Sequence, residues 1–143
     1  MDKAGRQKTL KVLSVFETVM GFLSLCFGLF MSHGGTNMLD KPIRSLNATA
    51  DSSSVLIAIG FTLLFEGIFA LTGSSFIRSA GKNAKHYKPA LYFALITFIF
   101  NCINLVFALL AHVKSADIVM TVIFMALNAI IVMMIDNLRK QAL

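Results

Sequence analysis

Ser54–Ile77 reads SVLIAIGFTLLFEGIFALTGSSFI, twenty-four residues with a single ionisable side chain, Glu66, near the middle. About 20 residues at about 1.5 Å each cross the hydrocarbon of a bilayer, so this stretch is long enough to span one. A carboxyl at its midpoint then lies far from either aqueous surface. Acidic residues are rare at that depth, and a functional site is the default hypothesis for one found there.

Three further stretches have the same character: Val12–Ser32, Pro89–His112 and Ala116–Ile135. The chain is 57% hydrophobic and 14% charged, with a mean hydropathy of +0.77. Soluble domains carry about 25% charged residues. The sequence therefore predicts an all-α, polytopic membrane protein, one four-helix transmembrane domain covering residues 1–143. Its spans are 12–32, 54–77, 89–112 and 116–135, joined by an outer loop 33–53 and a cytoplasmic loop 78–88 into an antiparallel bundle. The first stretch is too long for a signal-peptide core of about 7–15 residues, and Ser32-His33-Gly34-Gly35 is a poor cleavage site, so it reads as a retained helix.

Charge sets the orientation. Lys3, Arg6, Lys8, Lys11, Arg78, Lys82, Lys85, Lys88, Arg139 and Lys140 fall on one side, against Lys41, Arg44 and Lys114 on the other. The positive-inside rule places both termini in the cytoplasm, with the plasma (inner) membrane the expected location. The net charge of +6 thus reflects loops facing anionic lipid, and no nucleic-acid partner is expected. Cys26 and Cys102 lie inside predicted helices without a CxxC pair and read as small buried residues. There is no Trp, which leaves Tyr87 and Tyr92 as interfacial aromatics.

Between the helices, Asp51 or Ser52 suits the N-cap of the second helix. Gly81-Lys82-Asn83 breaks the chain, and Pro89 fits a first helical turn, where a missing N–H costs nothing. Only Val113, Lys114 and Ser115 separate the last two spans, which predicts a tight hairpin. Asn47-Ala48-Thr49 is a glycosylation sequon on the outer side. Glu66-Gly67 and Asn128-Ala129 occupy matching places in the two hairpins, as do His33 and His112, the pattern of a duplicated two-helix unit in parallel orientation.

Small and polar residues fall into stripes. On the third helix Ala94, Thr97, Asn101, Asn104, Ala108 and Ala111 follow spacings of three and four, so all share one face. The first helix offers Glu17, Gly21, Ser24, Gly28 and Ser32. The second offers Thr62, Glu66, Ala70 and Gly73, and the fourth, more vaguely, Thr121, Met125, Asn128 and Val132. Small residues let membrane helices approach, and Asn or Thr bond across the contact, so these faces are expected to point inward. Packing alone accounts for the Gly, Ala, Ser and Thr.

It does not account for Glu66. No Lys or Arg lies at mid-depth, so Asn101, Asn104 and Asn128 are the expected partners, and desolvation without a cation favours the acid that keeps its proton. Glu17, five residues past the start of its apolar stretch, is expected to snorkel toward the cytoplasmic surface. Asp136 and Arg139, three apart, read as an interfacial charge pair, and His86 as a solvated neighbour of Tyr87. His33 and His112 emerge at the same outer surface. Two such histidines can ligate haem or a divalent metal, although plain interface residues are the simpler reading, and no cofactor is expected.

No Walker loop, dinucleotide fingerprint, zinc-protease motif or lipase elbow occurs, and no enzyme is predicted. With Glu17 in the first of four helices the chain resembles the small multidrug transporters, in which such a residue binds drug and proton alternately. It is similar to MARVEL-type tetraspan proteins in helix count and in having both ends cytoplasmic. It is longer than the former, lacks Trp and has a longer outer loop, and neither resemblance carries a specific motif. The expected function is a small, oligomeric membrane protein whose polar interior handles a proton, cation or small solute. That interior comprises Glu66, Asn101, Asn104 and Asn128, with Glu17. The alternatives are a non-transporting accessory or scaffold subunit of a larger membrane complex, and a haem- or quinone-binding anchor using His33 and His112.

Overall fold

The computed structural model describes residues 2–33, 52–110 and 115–142, with side chains placed for 2–29, 57–110, 118, 119 and 121–142. Every regular element among the described residues is helical: α1 (Lys3–His33), α2 (Ser52–Ala80), a one-turn 3-10 helix (Ala84–His86), α3 (Tyr87–Leu110) and α4 (Ser115–Ala142). Each helix contains a segment long and apolar enough to cross a membrane, namely Lys3–Leu29, Ile57–Ala80, Ala84–Leu110 (which takes in the 3-10 turn) and Thr121–Ala142.

α1 and α4 run well beyond their apolar stretches. α1 begins at Lys3 because Asp2 caps it, its Oδ1 accepting from Gly5 N at 2.8 Å. The basic residues after the cap are good helix formers, so the charged segment continues the helix instead of ending it. α4 runs past Ile135 to Ala142, supported by Asp136, which accepts from Arg139 at 2.9 Å and pairs with Lys140 at 2.7 Å. The charge pair expected at that position is present. Between α2 and α3 the chain turns at Gly81-Lys82-Asn83, where the N–H groups of Lys82 and Asn83 both donate to Ser79 O at 3.0 Å. Asn83 Oδ1 then accepts from Lys85 N at 3.0 Å and starts the 3-10 turn. Pro89 falls in the first turn of α3, as expected. The N-cap of α2, the outer loop, the Asn47 sequon and the turn between α3 and α4 lie outside the described residues.

The helices pack in chain order, α1 on α2, α2 on α3 and α3 on α4, while α4 touches α1 only sparsely. Three different surfaces make the three joints. α1 and α2 meet through glycine: a Cβ at Gly28 would sit 2.7 Å from Leu64 N, and one at Gly67 would sit 2.8 Å from Gly21 O. Neither position can hold a side chain, because the obstacle is backbone. Contacts along this joint run in opposite order, Gln7 Nε2 donating to Gly81 O at 2.9 Å, Gly21 facing Ala70, and Gly28 facing Gly60. α2 and α3 meet through a ladder of rings, Phe65–Phe100–Phe69–Phe93–Phe76, with centroids 5.4 to 6.0 Å apart. Each pair of this kind contributes about 0.5–1.5 kcal/mol beyond area burial. α3 and α4 meet through larger aliphatic and sulfur side chains, including Cys102 Sγ against Met125 Sδ at 3.7 Å.

Inside, the end of the bundle near Ala80 and Tyr87 is apolar. Leu10, Leu13, Ile77, Ala90, Ile135 and Leu138 form one buried cluster there, with all four helices contributing. Further along, the interior becomes polar: Ser14, Glu17, Glu66, Ser74, Thr97, Asn101, Asn104 and Asn128 are all buried. The outside shows the reverse, with Phe22 and Phe27 each 59% exposed and Met133 66% exposed. A polar interior under an apolar exterior inverts the soluble pattern and suits surroundings of hydrocarbon.

Two expectations fail on packing grounds. On α4 the buried face is Asn128, Ile131, Ile135 and Leu138, while Thr121, Met125 and Val132 are only half-buried. The interior-facing stripe there is built from large aliphatic residues, so small and polar residues do not trace it. Cys26 is exposed on the outer face of α1 and is not a core residue; Cys102 is half-buried.

Candidate functional site

Glu66 is buried, and of its three expected amide partners it bonds Asn104. It is 4% exposed and held from two sides. Ser24 Oγ on α1 donates to its Oε1 at 3.2 Å, and Asn104 Nδ2 on α3 donates to its Oε2 at 2.8 Å. Asn101, one turn before Asn104 on α3, is also buried, and its Nδ2 donates to Thr97 O at 3.0 Å. Thr62 Oγ1 closes the network by bonding Asn104 Oδ1. One carboxyl thus organises a chain of contacts across α1, α2 and α3.

The reason Ser24 reaches the acid lies one residue away. Gly67, beside Glu66, and Gly21, one turn before Ser24, let the two backbones close until their side chains touch. The acid therefore sits within the glycine joint, and its partner is short because the gap is short. Asn104 is placed by the regular seam of α3, whose Ala94, Thr97, Asn101, Asn104 and Ala108 are all buried; Ala111 lies outside the described residues.

Glu17 departs from expectation. It does not snorkel to the surface but is 0% exposed, and neither of its carboxyl oxygens has a hydrogen-bond partner among the described residues. The physical reason is the length of α1. The helix starts nine residues before Val12, so Glu17 is well inside the bundle and walled in by neighbouring helices. Asn128 is 1% exposed; its Nδ2 donates to Phe124 O at 3.2 Å, and its Oδ1 has no partner among the described residues. It does not join the Glu66 network, contrary to the grouping read from depth alone.

The five predicted site residues therefore form two groups. Glu66 and Asn104, joined by Ser24 and Thr62, make a bonded network, with Asn101 buried one turn before Asn104 on α3. Glu17 and Asn128 are buried with acceptor oxygens that have no partner among the described residues. In the sequence, Ser24 and Thr62 are legible as stripe members but not as partners of the acid. Gly67 stands out only beside Glu66, and Gly60 not at all. A seven-residue spacing, Gly21 to Gly28 and Gly60 to Gly67, is the signal that pairs them.

Of the histidines, His112 and the side chain of His33 lie outside the described residues. His86 is half-buried, edge-on to the Phe76 ring at 6.1 Å, with Nδ1 unpaired among the described residues, and so is not simply solvated. Among the described residues no group of three or more His, Cys, Asp or Glu is placed to hold a metal ion. Set against known proteins, the chain matches no family model, no curated protein and no solved structure.

Proposed function

We propose that this chain is a small multi-pass membrane protein whose four helices form an antiparallel bundle with both termini cytoplasmic, in the plasma (inner) membrane. Its interior handles a proton, cation or small solute at Glu66. One observation carries the reading: a carboxyl at mid-span, sealed from the exterior, bound by a hydroxyl and an amide and, among the described residues, by no cation. Neutral donors hold a carboxylate without cancelling its charge, so the group remains able to exchange a proton or a counter-ion. The buried polar residues from Ser14 to the level of Gly28 cover about 21 Å along the axis, a large part of a hydrocarbon core of about 30 Å. Four helices enclose little space, and a homo-oligomer is the arrangement in which this column lines a passage. The reading assigns no catalysis.

The test is flux in proteoliposomes. Glu66→Gln keeps the side chain's shape and an acceptor oxygen but removes the ionisable group. Proton- or cation-driven uptake falls to the protein-free background in this variant, while its melting in detergent stays within a few degrees of the parent. Unchanged flux in the variant rules the transport reading out. An accessory role is the competing reading, favoured by the shallow apolar groove along α3 lined by Ile99, Cys102, Ile103, Val106 and Phe107. A stoichiometric membrane partner, with no flux from the purified protein, would select it.

A further inference from the structure

Thr62 has one hydroxyl hydrogen and three acceptors within its reach: Ile59 O at 2.8 Å and Ala58 O at 3.2 Å on its own helix, and Asn104 Oδ1 on α3. Only one of them can receive that hydrogen fully at a time. Asn104 has a matching freedom, because an amide carries a donor at one end and an acceptor at the other. Its Nδ2 lies 2.8 Å from Glu66 Oε2, and its Oδ1 lies against Thr62 Oγ1. A half-turn of the amide exchanges the two ends without moving either neighbour.

Two complete hydrogen-bond patterns follow. With Glu66 ionised, Thr62 donates to Asn104 Oδ1, and Asn104 Nδ2 donates to Glu66 Oε2. With a proton added at Oε2, the new O–H donates to Asn104 Oδ1 once the amide has turned. Nδ2 then donates to Thr62 Oγ1, and the Thr62 hydrogen swings to Ile59 O, which is already at bonding distance. Ser24 donates to Oε1 in both patterns, first as a carboxylate oxygen and then as the carbonyl of the acid. One proton enters, one O–H bond forms, one negative charge is neutralised, and no member of the network loses its partner. A buried carboxyl whose surroundings satisfy only one charge state is held in that state, because the other leaves polar groups unpaired.

We propose that Thr62 and Asn104 form a reversible relay that serves Glu66 in both charge states, and that the species exchanged at this acid is a proton. The inference rests on the reading of Glu66 given above and narrows it. Both carboxyl oxygens already accept from a donor hydrogen, which a metal cation would have to displace to reach oxygen lone pairs. The glycine joint beside Glu66 brings the backbones of α1 and α2 into contact, and a proton needs no added room. No charged group crowds the network. On α1, Glu17 is seven residues before Ser24, about 10 Å along the axis, and Cys26 is exposed on the outer face. On α3, Cys102 is turned to Met125 of α4. The described Lys, Arg and His residues gather at the end of the bundle near Ala80 and Tyr87.

The experiment is infrared difference spectroscopy of the purified full-length protein, titrated with pH across the range in which it stays folded. The parent gains a carboxylic-acid C=O band as pH falls, assigned to Glu66 by its absence in Glu66→Gln, and a side-chain amide band shifts in step with it. Asn104→Leu removes the amide shift. Thr62→Val keeps the acid band but moves the amide band in both charge states, and Thr62→Ser restores the parent position. Three results overturn the relay: an acid band without an amide shift, an amide shift that survives Asn104→Leu, and a Thr62→Val spectrum identical to the parent's. The absence of a pH-dependent Glu66 band overturns it as well. Should Asn104→Leu fail to fold, Thr62→Val and Thr62→Ser decide on the same criterion. The species is read in proteoliposomes holding a pH-sensitive dye, with a permeant anion to keep the potential near zero. The parent dissipates an imposed pH gradient equally fast in sodium and N-methylglucamine salts, and dissipation that requires sodium overturns the proton as the exchanged species. Flux lost in Glu66→Gln with no amide shift in the parent removes the relay and leaves the transport reading standing. An amide shift with flux unchanged in Glu66→Gln leaves a proton-binding acid and removes the transport reading.

Discussion

The two hairpins solve the same packing problem with opposite materials. α1 and α2 meet backbone to backbone, through Gly21, Gly28, Gly60 and Gly67. α3 and α4 meet through side chains, Cys102 on Met125, with Ile131 and Ile135 reaching into the shared apolar cluster. In the hydrocarbon setting proposed above no hydrophobic drive acts between helices, so each joint would rest on close van der Waals contact. The glycine joint achieves it by removing atoms, and the other by filling space. For function, the difference assigns the bonded acid to the tight hairpin. Glu66 draws Ser24 from across the glycine joint, whereas Asn128 on the looser α4 keeps an oxygen with no partner among the described residues.

The contrast breaks most clearly at the glycines. Gly28→Val and Gly67→Val each drive a side chain into backbone atoms that cannot retreat, and each is expected to lose about 3 kcal/mol or more, with little folded protein recovered. Denaturant titration in mixed micelles reads this loss. A Gly→Val variant that melts like the parent would show that the joint is not closed. In the second hairpin the equivalent insult is a deletion. Ile131→Val removes one buried methylene and is expected to cost about 0.5–1.5 kcal/mol in the same titration, because neighbouring side chains relax into the gap. A loss as large as at the glycines would erase the distinction between the joints. The smallest effect is expected at the end of α4. Asp136→Asn removes an ion pair whose side chains are 30% and 34% exposed, and its midpoint is expected to match the parent within error.

Much of this is readable from the chain, for identifiable reasons. α3 is legible from Ala94 to Ala108, though not at the buried Tyr87, because its interior face there is small and polar and its outer face is not, so spacing and chemistry point to the same residues. α4 is not, because a large aliphatic residue looks the same in sequence whether it meets a neighbouring helix, as Ile131 and Ile135 do, or faces outward, as Ile130 does. Glu66 is legible by depth, and its partner Asn104 by the seam of α3. Glu17 is misplaced when the onset of hydropathy is taken as the start of the helix. Lys3 to Lys11 are helical, and burial depends on neighbouring helices and not on distance to the first apolar residue. The division of the five polar residues into a bonded and an unbonded group depends on helix rotation, which composition does not carry.

The glycine spacing has a last consequence. Notches seven residues apart on both α1 and α2 admit a second alignment, slipped by two turns, in which Gly28 would meet Gly67. Shape alone separates the two poorly. Only the observed alignment brings Ser24 to Glu66, and the slipped one would cost the carboxyl that bond while leaving it Asn104. The acid thus acts as a key for the lock between the first two helices, penalising misassembly in the manner of a single polar residue in a coiled-coil seam.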